Sequence, residues 1–501
     1  MIRKPLVALV LAFSLPAAVR AQRPVASIDS MAIRAATYLL AHDLLEGRGT
    51  GTRGADVAAL YLATQAELLG LSGAGEHGSY FQSVPLVEAT IDTAASTLVL
   101  ALDEPLGPSR VTFRTPQSFL PNVGTARTLV SFAGELVWVG SASALLAHPD
   151  RLPPLGGRVA VMAGVFGADL AAGDTLRARG AVGVIHLIGQ PEQYALYVRS
   201  RGPSRLFAAD TAVVSSFIPT IPSVLVRSDV AARLFPPGTT DSSLARPFVI
   251  GGRRIELTLA LHTRPMAARN VVALLPAADP ARRSETVVFT AHYDHLGVST
   301  PDERGDSIYN GFSDNAAGSA MLFAIAQALA SELLPRSVLF VWFTGEERGL
   351  LGSDFFAAHP TLSPTRLVGA INLDAGAPPA PSVEWRVAGG ERSSLGPLAV
   401  EVARRSGWQA QVSGATPNSD YFPFLRIGVP AVFLVPGPGA YEGITLDSSN
   451  ALRRRWDHYH QAADQWAADF PFSGLARYAD YALRIGLELL TGPRPTMNQG
   501  R

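Results

Sequence analysis

Three runs decide how this chain is read: VVFTAHYDHLGV (287–298), NGFSDNAAGSA (310–320) and VLFVWFTGEERGLLGS (338–353). The first and third are apolar runs that end in polar residues, His292 and Asp294 in one, Glu346 and Glu347 in the other. Between them Asp314 sits in a Ser-Asp-Asn turn that opens a helical pattern. Near-continuous apolar runs mark strands buried on both faces. Working outward, NVVALLPA (270–277), RLVGAINLDA (366–375), VEWRVAG (383–389) and AVFLVPG (431–437) are of the same kind. Helical patterns at 314–332, 394–407 and 476–492 separate or close them. This alternation predicts an α/β fold, a sheet with helices on both faces. Ligands of such sheets bind at the carboxyl ends of the strands, where these polar residues fall.

The residue types point to a metal. Neutral imidazole and carboxylate oxygen suit a borderline divalent cation such as zinc. Adjacent glutamates at a strand end are costly unless something positive lies between the carboxylates. Asp374 ends the run AINLD, and His460 follows Tyr459 in DHYHQAADQW (457–466). Singly, an Asp after a strand reads as a helix cap and a lone His as a packed residue. Together they meet the needs of two cations about 3.5–4 Å apart, one bridging ligand and terminal ligands for each. Asp314 can bridge with its two oxygens; His292 and Asp374 can serve one metal, Glu347 and His460 the other. Glu346 is then free as general base, taking the proton of a water shared by both cations and passing it to a leaving amine. Asp294 fits a carboxylate that orients the His292 ring, and Tyr459 a hydroxyl for the developing oxyanion.

The rest of the chain bounds the reading. Its 501 residues, 48% hydrophobic and 17% charged, suit a globular protein of two or three domains. Acidic and basic residues balance at 42 each, so nothing suggests a nucleic acid or anionic membrane as partner. Residues 1–21 read as a signal peptide: Arg3 and Lys4, a short apolar run Leu6 to Leu15, then Val19-Arg20-Ala21. That predicts an exported protein starting near Gln22, periplasmic or extracellular, with no stable membrane insertion. The absence of cysteine excludes disulfides, thiolate ligands and a thiol nucleophile. A helix capped by Ser27 or Asp29 runs to about Leu40, a Gly/Thr-rich loop covers 42–54, and a second helical period ends before Gly70. From about residue 90 to 265, short β-rich runs alternate with Gly and Pro and carry few candidate catalytic groups.

The motifs HYDH, NGFSDNAAG, FTGEERGLLGS, NLD and YHQAAD resemble, in this order, those of the secreted di-zinc aminopeptidases, a family that includes glutamate carboxypeptidase relatives and glutaminyl cyclases. LEGRGTGTRG (45–54) followed by GSYFQSVPL (78–86) resembles the N-terminal part of bacterial members with a protease-associated insertion. GRVAVMAG, a helix ending ARGAVGVIHL, and IPSVLV resemble that insertion itself. The resemblance implies a mixed, mostly parallel sheet flanked by helices, the zinc exopeptidase fold, with a small β-rich α+β insertion. The expected divisions are 1–21 signal peptide, 22–120 N-terminal part of the peptidase domain, 121–255 insertion and 256–501 catalytic core. By motif position, two Zn2+ per chain go to His292, Asp314, Glu347, Asp374 and His460. Glu346 is the base, Asp294 the carboxylate behind His292 and Tyr459 the transition-state hydroxyl. The implied activity is removal of N-terminal residues from peptides. A carboxypeptidase, using Arg426 or Arg453 to Arg455 on a substrate carboxylate, is the alternative; a glutaminyl cyclase or a non-catalytic receptor is more remote. The chain departs from the pattern at Tyr421, where many members have His, at Phe312-Ser313, and in an extra acidic loop at 299–309.

Overall fold

The computed structural model describes residues 27–498 apart from 105–106, 123–127, 165–169, 202–203 and 217–220. The expected signal at 1–21 lies outside the described residues. The main sheet is built from β1 (Phe81–Ile91), β2 (Phe248–Leu275), β3 (Thr286–His292), β4 (Ser337–Phe343), β5 (Leu367–Asn372), β6 (Glu384–Ala388), β7 (Gln409–Ser413) and β8 (Ala431–Pro436). In space their order is β1-β2-β4-β3-β5-β8-β6-β7. The centre, β4-β3-β5-β8, is parallel, whereas β1, β2 and β6 make antiparallel pairs toward the flanks. The sheet is therefore mixed and mostly parallel, with the strand–helix alternation read from the sequence.

Every residue of β3, β4 and β5 is buried. Successive side chains of a strand point to opposite faces, and here each face has its own apolar layer. Val287, Phe289, Phe340 and Trp342 face helices Ser30–Leu40, Arg53–Leu68, Ala317–Ala330 and Ser473–Thr491. Val288, Leu339, Val341 and Phe343 face helices Leu351–Ala358 and Tyr421–Arg426. Both layers exclude water from the strands, which is why the runs carry no polar alternation. Asp29 caps the first helix by accepting from the Met31 amide, and Thr52 caps the second. Gly70, at φ +78°, ends that second helix in a conformation a side chain would strain.

A second sheet grows between β1 and β2. Its spatial order is Gly107–Arg114, Thr97–Glu104, the first half of β2, Leu129–Ser141, Val159–Ala163, Gly183–Leu187, Ser223–Val226 and Phe119–Asn122. Leu98, Phe132, Val161, Ile185 and Leu257 form its core. The 28-residue strand β2 belongs to both sheets: through Thr258 it pairs with Thr97–Glu104, and from Leu261 it pairs with β1. The second sheet thus draws on strands from residue 97 onward, ahead of the division expected at 120. From this sheet the chain returns to the first: Ser204–Ala208 pairs with the outer side of β1. Ser216 then donates its amide and hydroxyl to Asp354, both at 2.6 Å. Among the described residues no helix is long and apolar enough to cross a membrane.

Candidate metal centre

The carboxyl ends of β3, β4 and β5 lie side by side, so the residues that follow them converge. β3 delivers His292, then Asp294 and His295; β4 delivers Glu346 and Glu347; β5 delivers Asp374. Asp314 enters from the turn before helix Ala317–Ala330, next to a cis Asp314–Asn315 peptide. His460 comes from the loop between helices Leu446–Trp456 and Ser473–Thr491.

Asp314 stands in the middle. Its Oδ1 is 3.1 Å from His292 Nε2 and its Oδ2 is 3.0 Å from His460 Nε2. His292 Nε2 also lies 2.8 Å from Asp374 Oδ1, and His460 Nε2 lies 3.1 Å from Glu347 Oε2. Ligand atoms of His292, Glu346 and Asp374 fall within 4.8 Å of one another, as do those of His295, Asp314 and Glu347. These distances bring all the residues named as ligands from the sequence to one spot, with Asp314 between the two halves.

The charge pattern explains why such a cluster suits cations. Burial opposes a charge on His292, yet the carboxylates of Asp374 and Glu346 outweigh it and hold its pKa well above the ordinary range. Burial opposes a charge on His460 as well, but Asp314 and Glu347 push it up to about 10. Burial raises Glu346 well above a normal carboxyl, with Asp374 and Glu347 adding to the effect. Without other cations, then, the cluster must hold protons on His292, His460 and Glu346. His460 Nε2 is a buried atom with no hydrogen-bond partner, although it sits between two carboxylates. A cation that displaced the His460 proton would find this nitrogen facing two carboxylate oxygens, and the donor set of imidazole and carboxylate fits zinc.

Supporting contacts fix the ligands. Thr290 donates to Asn372 at 2.7 Å, Asn372 donates to Ser419 at 2.7 Å, and Ser419 donates to Asp374. Asp464 accepts from the Ser313 amide and hydroxyl at 3.0 and 2.8 Å and from the Asp314 amide at 3.2 Å, locking the turn that presents Asp314. Arg48, fully buried, donates to the carbonyls of Leu40, Tyr293, Asn310 and Gly311 and ties the two loops together. Asp294 lies behind the His292 ring. Its backbone carbonyl is 3.1 Å from His292 Nδ1, and its carboxylate is at 3.7 Å, beyond hydrogen-bond reach. That carboxylate also accepts from Thr50 at 2.7 Å and from the Glu346 amide at 3.2 Å, so it braces the Glu346 backbone. Tyr459 is 62% exposed, its ring stacked on His460 at 3.8 Å, and no hydrogen bond from its hydroxyl is seen among the described residues.

Sequence reasoning left several of these groups unassigned. Asp464 lies four residues after His460 in the same motif, and His295 closes HYDH; their nearness to ligands was the available signal. Arg48 and Thr50 lie in the Gly/Thr loop, where nothing in the pattern distinguishes them from solvated residues. Tyr421 turns away from the centre: it is buried under β8 and its hydroxyl bonds the Thr416 backbone. In the acidic loop Asp302 binds the amides of Arg304 and Asp306, and Asp306 binds Gln465. The arginines considered for a substrate carboxylate are mostly engaged: Arg426 with Asp354 and Val214, Arg453 with the carbonyls of Gly437 and Gly439, Arg455 with Asp469.

An α/β sheet with paired carboxylates and imidazoles at its strand ends defines a metallohydrolase-type centre. Residues 270–485 match the model of peptidase family M28. A probable zinc metalloprotease of Leptosphaeria maculans is 28% identical over 129 residues, 24% of this chain and 29% of that protein. Leucine aminopeptidase 2 of Trichophyton equinum is 40% identical over 65 residues, 13% of each chain. The chain thus spans less than a third of the length of these curated relatives. Among solved structures, the aminopeptidase from Aneurinibacillus sp. strain AM-1 shares the fold with TM-score 0.55 at 16% identity, over 95% of this chain and 97% of that one. A zinc aminopeptidase from Bacillus subtilis does so with TM-score 0.51 at 17% identity, over 96% and 98%.

Proposed function

We propose that this protein is an exported, zinc-dependent aminopeptidase that binds two Zn2+ per chain and removes N-terminal residues from peptides. The observation that carries the reading is the placement of Asp314, one oxygen toward His292 and Asp374, the other toward His460 and Glu347. His292, Asp374 and Asp314 would hold one ion; His460, Glu347 and Asp314 the other. When bound, zinc supplies Lewis acidity, lowering the pKa of the attacking water and drawing charge from the scissile carbonyl.

Glu346 takes the proton of the attacking water and returns it to the departing amine. Its amide is held by Asp294, which fixes where its carboxylate can reach. Asp374 is held by Ser419, so it keeps one oxygen toward His292. Tyr459, exposed and stacked on His460, would offer its hydroxyl to the carbonyl oxygen of a bound peptide. The second sheet is read as a protease-associated insertion, anchored by the shared strand β2. The engagement of Arg426, Arg453 and Arg455 leaves Arg454, exposed on the helix that carries the last two, as the cation a carboxypeptidase would have to use.

The test is hydrolysis of paired free and N-acetylated aminoacyl-anilides by the mature protein, with chelator and with zinc restored. Cleavage of the free-amine substrates alone, lost on chelation and recovered with zinc, is expected. If acetylated substrates were cleaved equally, or if chelation left activity intact, the reading would fail.

A further inference from the structure

We infer that His295 is the positioning residue for Glu347, and that it sets the affinity of one of the two metal positions without being a ligand. The inference rests on the two-metal reading above.

His295 is fully buried. Its Nδ1 lies 2.6 Å from Glu347 Oε1, while the other oxygen, Oε2, is the one facing His460. The carboxylate only accepts, so Nδ1 must carry the proton. Zinc–ligand bonds of about 2.0–2.2 Å put tetrahedral ligand atoms about 3.3–3.6 Å apart. His460 Nε2 lies 3.0 Å from Asp314 and 3.1 Å from Glu347, a little inside that spacing from both. His295 Nδ1 is 2.6 Å from Glu347, too close for two ligands of one ion, and 3.7 Å from Asp314. The two imidazoles therefore take different oxygens of one carboxylate, and His295 keeps Oε2 turned toward the metal position.

The surroundings hold the ring in this role. A Cβ at Gly311 would come within 2.5 Å of the His295 ring, so the glycine leaves the room the imidazole occupies. The His295 amide donates to the Arg48 carbonyl at 3.2 Å, fixing the backbone behind the ring. With the proton on Nδ1, Nε2 is a bare lone pair, and it is a buried atom with no partner. Among the described residues no hydrogen bond or ion pair joins His295 to His292 or Asp374, so the effect belongs to the Glu347 side.

The test compares His295→Asn and His295→Gln. The Asn amide can place an N–H where Nδ1 stood, whereas the longer Gln places it where Nε2 stood. Zinc affinities of the metal-free whole protein are read by competition with a chromogenic chelator, and X-ray absorption counts the imidazoles around zinc. Expected are two ions in the unsubstituted protein with about one imidazole each, near-normal affinities in the Asn variant, and one ion weakened 10–100-fold in the Gln variant. Unchanged affinities in the Gln variant would overturn the inference, as would equal weakening of both ions. If Asn and Gln weaken the same ion alike and the unsubstituted protein holds about three imidazoles per two zinc ions, His295 is a ligand and the inference is wrong. An unsubstituted protein that binds fewer than two ions sinks the two-metal reading itself.

Discussion

Replacing Arg48 by methionine, which keeps most of the length and none of the charge, should loosen the metal centre from behind. The guanidinium donates to Tyr293 at 2.7 Å, to Asn310 at 2.5 Å, to Gly311 at 2.9 Å and also to Leu40. Charge-assisted hydrogen bonds contribute about 1.5–3 kcal/mol each, so the set is worth about 6–12 kcal/mol gross. Against this stands burial, which lowers the Arg48 pKa from 12.5 to about 10 despite Asp294 and Asp464. That difference is a cost of about 3 kcal/mol at 1.36 kcal/mol per pKa unit. The hydrogen bonds win, and Arg48→Met should destabilise the zinc-free protein by about 3–6 kcal/mol once water reaches some of the freed carbonyls. Arg48→Lys should fall between, because a point charge cannot replace the fork. Urea unfolding followed by tryptophan fluorescence reads the loss, with Trp342 in the core beside the centre. A loss under about 1 kcal/mol for Arg48→Met, below even a single such bond, would refute the ledger.

Other substitutions separate the parts of the site. Glu346→Gln should lower kcat by about 10²–10⁴-fold with zinc content unchanged; loss of zinc alongside activity would make Glu346 a ligand instead. Asp464→Asn halves the acceptor capacity beneath the Ser313–Asp314 turn, and since Asp314 faces both halves, both zinc affinities should fall about 10–100-fold; a fall confined to one ion would contradict the bridging role. Asp354, whose pKa burial raises from 3.8 to about 6 against the pull of Arg426, carries a pH dependence of the opposite sign to an ordinary ion-paired carboxylate. The folded protein holds its proton more tightly, so its contribution is complete below about pH 3.8 and is lost as pH rises through 6, amounting to about 3 kcal/mol. The stability difference between the unsubstituted protein and Asp354→Asn should drift by that much between pH 4 and 7, and parallel curves would show the group does not titrate there.

His292, Glu346, Glu347 and Asp374 were legible as candidate ligands because each follows an apolar run, whereas Asp314 and His460 were found only by their residue type and motif. An apolar run such as VVFTA can only be a strand buried on both faces, and its end fixes where His292 must stand. The same logic found Glu346, Glu347 and Asp374. It could not find Asp464 or Arg48, because their partners are backbone amides and carbonyls from distant segments, and backbone groups leave no trace in composition. The division between the sheets was blurred for a related reason. Strand β2 has 28 residues, buried continuously only near its C-terminal end, while the stretch before it alternates or is exposed. Such a strand reads as two short ones. Helices Leu351–Ala358 and Tyr421–Arg426 are too short for a helical period to stand out, and their burial comes from β4 and β8 packing over them.

These short helices bear on how the second sheet is tied to the chemistry. Leu351–Ala358 begins four residues after Glu347, and Tyr421–Arg426 begins directly after Asp420, itself next to the Ser419 that holds Asp374. Asp354 of the one and Arg426 of the other meet at 3.1 Å, and both bind Ser216, in the segment between Ser204–Ala208 on the first sheet and Ser223–Val226 in the second. Strand β2 joins the two sheets from the opposite side, its later half beside β4. The shared strand β2, the pairing of Ser204–Ala208 with β1 and the polar contacts of Ser216 together restrain the rotation that one alone would allow. The elements they grip are those that carry Glu346, Glu347 and the support of Asp374. The second sheet is therefore fastened to the frame of the metal centre itself.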